Sequence, residues 1–162
     1  MNNCDMTFSI FIPDKKQRSD PAPPLLYYLS GLTCTDDNAR SKAAVFEHAA
    51  KYGLAVVFPD TSARGVEIEG QDESYDFGSG AGFYVNAKTF KWKKHYNMDD
   101  YINKELPKVI DLLFHVDTSR VAITGHSMGG HGALTQHLRN PGKYVSASAF
   151  SPICHPTSCP WG

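Results

Sequence analysis

Residues 121–134, Val-Ala-Ile-Thr-Gly-His-Ser-Met-Gly-Gly-His-Gly-Ala-Leu, limit what this chain can fold into more than any other stretch. A β-type run of five residues, Arg120 to Thr124, meets Gly125-His126-Ser127-Met128-Gly129, and small residues and helix formers follow. The five-residue pattern alone is a weak signal in a chain with 13 glycines. Its context makes it specific, because G-x-S-x-G between a buried strand and a helix is the nucleophile elbow. Such a turn holds Ser127 in a strained backbone conformation above the sheet. Gly125 and Gly129 are expected where any side chain would strike neighbouring backbone. Gly130 and Gly132 are expected to let the helix pack closely on the sheet.

The rest of the chain reads as strands alternating with helices. Residues 6–13 and 25–29 are strand candidates, and a charged, Pro-rich turn (14–24) joins them. Asp36, Asp37 and Asn38 offer N-caps for a helix running to about Tyr52, which Gly53 ends. Residues 54–58 form a further buried strand. Residues 61–94 show no sustained period, and their aromatic content points to a long ordered excursion. Residues 97–114 read as a helix with Tyr101, Leu106, Val109, Ile110 and Leu113 near one face, kinked by Pro107. A last strand lies near residues 145–150. This order defines α/β architecture in one domain, 1–162, with a mostly parallel sheet flanked by helices. The loops after the strands, 30–34 and 125–129, then share the carboxyl ends where ligands bind.

Composition excludes several classes. Sixteen basic residues face seventeen acidic ones, so nothing suggests a nucleic-acid partner. No apolar run approaches membrane-spanning length and no signal-peptide pattern opens the chain, so the expected location is the cytoplasm. Cys4, Cys34, Cys154 and Cys159 are expected as reduced thiols, since Cys154 and Cys159 match zinc-ligand spacing poorly. No metal and no cofactor are expected. Asp76-Phe77-Gly78 lacks the companions of a kinase motif. Asp72, Glu73 and Asp76 read as a bonded loop rather than a glycoside-cleaving pair.

An attacking serine needs a base, an orienting acid and donors for the oxyanion. The donors are expected at the N–H of Met128, following the serine, and of Leu32, with Gly31 letting the backbone turn inward. The base is missing. The 35 residues after Ser127 hold His131, His137 and His155 but no aspartate or glutamate. His126 is expected to point elsewhere and His131 to bond locally.

Residues 28–35 (Tyr-Leu-Ser-Gly-Leu-Thr-Cys-Thr), 59–62 (Pro-Asp-Thr-Ser), 72–74 (Asp-Glu-Ser), 76–78 and 80–85 (Gly-Ala-Gly-Phe-Tyr-Val) carry a resemblance, with the elbow block, 140–144 (Asn-Pro-Gly-Lys-Tyr) and 159–162 (Cys-Pro-Trp-Gly). On these blocks the chain closely resembles the S-formylglutathione hydrolase, or esterase D, family. The resemblance implies an α/β-hydrolase fold and cleavage of a glutathione thioester to formate and glutathione, in formaldehyde detoxification. It implies no cofactor, a cytosolic location and a homodimer. It also implies Ser127 as nucleophile, Leu32 and Met128 as oxyanion donors, and Cys34 as a thiol near the site. Gly31, Cys34 and Trp161 are the expected substrate-binding residues, with Trp92 and residues 78–82 as further candidates for lining the site. Core packing is the expected role of both tryptophans. Family members continue for about another hundred residues, where the triad acid and histidine belong. The chain is therefore expected to be truncated at both ends, to expose an apolar edge on its last strand, and to be inactive alone. A broad-specificity carboxylesterase and a non-catalytic truncated product are the alternatives.

Overall fold

The computed structural model describes residues 1–14 and 20–161; part of the turn at 14–24 and the terminal Gly162 lie outside the described residues. Five strands form one sheet in the order β1-β3-β2-β4-β5: β1 (Phe8–Phe11), β2 (Pro24–Leu29), β3 (Ala55–Pro59), β4 (Asp117–His126) and β5 (Ser146–Phe150). β1 is antiparallel to β3, and the remaining pairs are parallel. Helices separate the parallel strands, as their crossovers require.

The alternation along β2 sorts the core. Leu25, Tyr27 and Leu29 face one layer, where they meet Leu106, Ile110, Met128 and Ala133 of the helices on that side. Leu26 and Tyr28 face the other, with Ala39 and Ala49. All five residues of β3 are buried, so a strand covered on both faces reads as a continuous apolar run.

Three helical expectations are corrected. The single helix expected up to Tyr52 is two helices, α1 (Asp36–Lys42) and α2 (Phe46–Tyr52). Ala44 takes φ 50° between them, which no continuous helix allows. The N-cap of α1 is Thr35 rather than Asp36, Asp37 or Asn38, and Asn38 closes a capping box by accepting from the Thr35 N–H at 2.8 Å. The helix expected at 97–114 is α3 (Met98–Asp100), a π-helical turn (Tyr101–Glu105) and α4 (Leu106–Leu113). The interruption thus falls before Pro107, which sits in the first turn of α4, where its missing N–H is not needed.

Helix α5 (Met128–Arg139) follows β4. β5 pairs only with β4 among the described strands, and its outer edge is less apolar than expected: serine and alanine precede Phe150, its one large exposed side chain.

The excursion after β3 is ordered without strands or long helices. It closes on itself through an Asn86–Asn97 bridge, with the Ala87 N–H donating to the Tyr96 carbonyl at 2.7 Å. Trp92 packs edge-on against Phe77 and Tyr96 at centroid distances of 5.0 and 5.9 Å. That is the packing role expected of this tryptophan.

Candidate active site

The register of two parallel strands builds the site. Leu29 of β2 pairs with Gly125 of β4, so the loops that leave their carboxyl ends run side by side. Ser127 stands between β4 and α5 with φ 56° and ψ −120°, a conformation a side-chain-bearing residue seldom adopts. A Cβ on Gly125 would lie 2.2 Å from the Gly129 carbonyl oxygen, and one on Gly129 would lie 2.0 Å from that of Leu29. Both glycines are therefore needed for the reason their sequence context gave. Gly130 approaches the Phe150 carbonyl of β5 as expected, but Gly132 does not serve helix–sheet packing. A Cβ there would meet the ring of Tyr84, which comes from the excursion.

The 30–34 loop faces the serine. A Cβ on Gly31 would sit 3.3 Å from Ser127 Cβ and 3.8 Å from its Oγ, so Gly31 leaves the room the hydroxyl occupies. Among the described residues no hydrogen bond takes up the N–H of Leu32 or of Met128, the first residue of α5. The positive end of α5 adds to the field at this point. A half-buried serine hydroxyl, a free N–H following it and a free N–H on the adjacent loop are thus brought to one end of the sheet, and donors of this kind serve acyl transfer.

The loop itself is held from the excursion. Tyr84 donates from its hydroxyl to the Ser30 carbonyl at 2.8 Å, and the Thr33 N–H donates to the Gly80 carbonyl at 2.9 Å. The Cys34 carbonyl accepts from Thr61 Oγ1 and, at 2.9 Å, from Arg64 Nη2. Neither Tyr84 nor Arg64 shows any periodicity that would single it out. Tyr84 lies within the Gly80 to Val85 block, and Arg64 lies just beyond the Pro59 to Ser62 block.

Cys34 lines a cavity of about 260 Å³ with Tyr28, Gly31, Lys42 and His126, on the α1 side of the sheet. His126 is exposed, and no hydrogen bond joins it to Ser127 among the described residues. Trp161 is held by the excursion: its indole N–H donates to Asp76 at 2.9 Å and its ring tilts against Phe83 at 6.0 Å. Asp76 also accepts from Ser74, and these two bonds, that of Ser74 foremost, hold its carboxyl below the usual range. The 72–76 carboxylates accordingly include a bonded loop residue, not a catalytic pair.

No histidine among the described residues bonds Ser127 Oγ. His131 Nδ1 is engaged with the Ile153 carbonyl at 2.8 Å, His155 with Ser158, and the Nδ1 of His137 is buried without a partner. All four cysteines are free thiols, and no cluster of metal-ligating side chains occurs among the described residues. No described helix is long and apolar enough to cross a membrane.

A strand-turn-helix serine beside a donor loop, on a mostly parallel sheet, defines an α/β-hydrolase site. The chain belongs to the esterase family, whose model matches residues 1–162. It is 53% identical to the S-formylglutathione hydrolase of Rattus norvegicus over 159 residues, which is 98% of this chain and 56% of that protein. The S-formylglutathione hydrolase from Agrobacterium tumefaciens superposes with a TM-score of 0.92 at 44% identity, over 99% of this chain and 57% of its own. A ferulic acid esterase, 22% identical with a TM-score of 0.71, shares the fold over 94% of this chain and 54% of its own. The chain thus spans little more than half the length of the relatives it matches.

Proposed function

We propose that Ser127 is the nucleophile of a thioester hydrolase whose substrate is S-formylglutathione. The observation that supports this reading is the Leu29–Gly125 register, by which the loop carrying Leu32 leaves the sheet next to the turn carrying the strained Ser127 and Met128. Ser127 Oγ attacks the formyl carbon and passes its proton to a base, and the carbonyl oxygen becomes an oxyanion between the two N–H groups. The C–S bond then breaks and glutathione leaves as thiolate, which needs less protonation than an alkoxide or amine would. Water hydrolyses the formyl ester on Ser127 to formate. The base and its orienting acid belong to the part of the relatives' length that this chain does not span.

The similarity to S-formylglutathione hydrolases over 98% of the chain supports this substrate over a broad range of esters. Gly31 and Cys34, on the loop that carries the donor Leu32, and Trp161, held on Asp76 and Phe83, are the residues proposed to contact the substrate. A cytosolic location and a homodimer are proposed on the same resemblance.

Labelling by a fluorophosphonate and relative turnover of S-formylglutathione and an aryl acetate test the reading. A protein of the relatives' full length should label at Ser127 and prefer the thioester. Residues 1–162 alone should lose all but a residue of that rate, since the oxyanion donors act without a base. Full-rate turnover by 1–162 would contradict the proposed division of the site. Absence of labelling in the full-length protein would favour the non-catalytic alternative.

A further inference from the structure

We infer that Arg64 is a positioning residue for the oxyanion loop, acting through the Cys34 carbonyl and held in place by Asp60. This rests on the reading of Leu32 as an oxyanion donor.

The 30–34 loop has no secondary structure to fix it, yet its donor N–H must point at one place in the transition state. Removing a single oxyanion donor costs roughly 10²–10³ in rate, and a misplacement of about 1 Å can cost about 10². Besides the free Leu32 N–H, further backbone groups of the loop are tied to one another or to the excursion at its start and turn. The Ser30 carbonyl accepts from Tyr84, the Thr33 N–H donates to Gly80, and the Cys34 N–H donates back to the Gly31 carbonyl at 3.3 Å. Those bonds fix the loop at its start and turn. Its exit is tied to the strand β3 side of the site through the Cys34 carbonyl, whose two lone pairs take Thr61 Oγ1 and Arg64 Nη2.

Arg64 is built for that task. Its Nε lies 2.9 and 3.1 Å from the two carboxylate oxygens of Asp60, and Asp60 is 4% exposed. Asp60 also accepts from the Thr61 N–H at 2.6 Å, so the carboxylate fixes both residues that grip Cys34. The planar guanidinium can face a carboxylate with one N–H and the carbonyl with another. A lysine ammonium lacks that fork. Asp60 follows β3 directly, so the sheet transmits its position to the loop beyond β2. The buried Ser62 adds a parallel tie by accepting the Gly80 N–H at 2.7 Å, below the residue that receives Thr33.

Amide hydrogen exchange and steady-state kinetics on Arg64→Ala, Arg64→Lys and a control, Arg40→Ala, test the inference. Among the described residues Arg40 pairs only with exposed Asp37 on α1. In Arg64→Ala the Thr33 and Cys34 amides should exchange at least tenfold faster, while those of β3 and β4 stay within twofold. In the full-length protein kcat on S-formylglutathione should fall about 10- to 100-fold with KM within twofold. Arg64→Lys should restore neither, and millimolar methylguanidinium should partly restore kcat in Arg64→Ala. Unchanged loop exchange overturns the inference, as does exchange that rises equally across the sheet. Faster loop exchange with an unchanged kcat overturns its catalytic half. If the parent protein does not cleave the thioester, the substrate reading fails, and the exchange data still decide whether Arg64 positions the loop.

Discussion

Gly129 lies so close to Leu29 that a single added carbon would stand 2.0 Å from the Leu29 carbonyl oxygen. This contact joins the first turn of the elbow helix to the end of the neighbouring strand, and it draws the nucleophile loop and the oxyanion loop together.

Gly129→Ala should therefore destabilise the fold by about 3 kcal/mol, since backbone rather than a movable side chain blocks the added methyl. Gly53→Ala is the contrast. Gly53 has φ 66° and nothing within 4 Å of an added Cβ, so only its left-handed backbone resists, at about 1 kcal/mol. Urea unfolding of both variants checks the order. Equal losses would show that the elbow is not tightly packed.

Ser127→Gly should raise stability by about 1 kcal/mol while abolishing fluorophosphonate labelling. The serine's φ of 56° and ψ of −120° store backbone strain that glycine does not feel. A loss of stability in the thermal melt would mean that the elbow serine is not strained.

The protein should unfold cooperatively in alkali. Burial raises the hydroxyls of Tyr27, Tyr84, Tyr101 and Tyr144 above the ordinary tyrosine value near 10. The folded state therefore keeps these protons when the unfolded state has released them. Stability is intact below pH 10 and falls above it by about 1.4 kcal/mol per pH unit for each tyrosine that stays protonated. The last part of the tyrosinate absorbance at 295 nm, that of these four of the eight tyrosines, should appear in step with loss of helical circular dichroism. Titration of all eight tyrosines near pH 10 in a still-folded protein would refute this.

Lys143 and Pro107 should be thermodynamically coupled. In an uninterrupted helix the Asn103 carbonyl would accept from residue 107, but proline has no N–H, and the Lys143 ammonium donates there instead. Burial of Lys143 lowers its affinity for a proton, so the bond offsets a real desolvation. Lys143→Met should cost about 1–2 kcal/mol in the parent and clearly less in Pro107→Ala, a coupling of about 1 kcal/mol in a double-mutant cycle. Strict additivity would separate the two residues.

The elbow was legible because its cause is local. Gly125, Ser127 and Gly129 each answer to backbone sterics within a few residues, and the alternating strands and helices fixed which loops would share an edge. The break at Ala44 was not legible, since nothing about an alanine announces a positive φ. Pro107 marked an interruption, but the helix accommodates it one turn earlier, where a wider turn can be packed against the core.

The amino-acid order thus determined the strand-turn-helix at Ser127 and the parallel α/β plan, through short-range sterics and the period of the apolar residues. The tertiary structure alone decided that Tyr84 and Arg64, 54 and 30 residues along the chain from the carbonyls they bond, hold the loop opposite the serine. It also decided that Trp161 rests on Asp76 and Phe83. Such contacts join irregular segments through single hydrogen bonds, which leave no periodic trace in a sequence and become specific only once the packed sheet has brought the segments together.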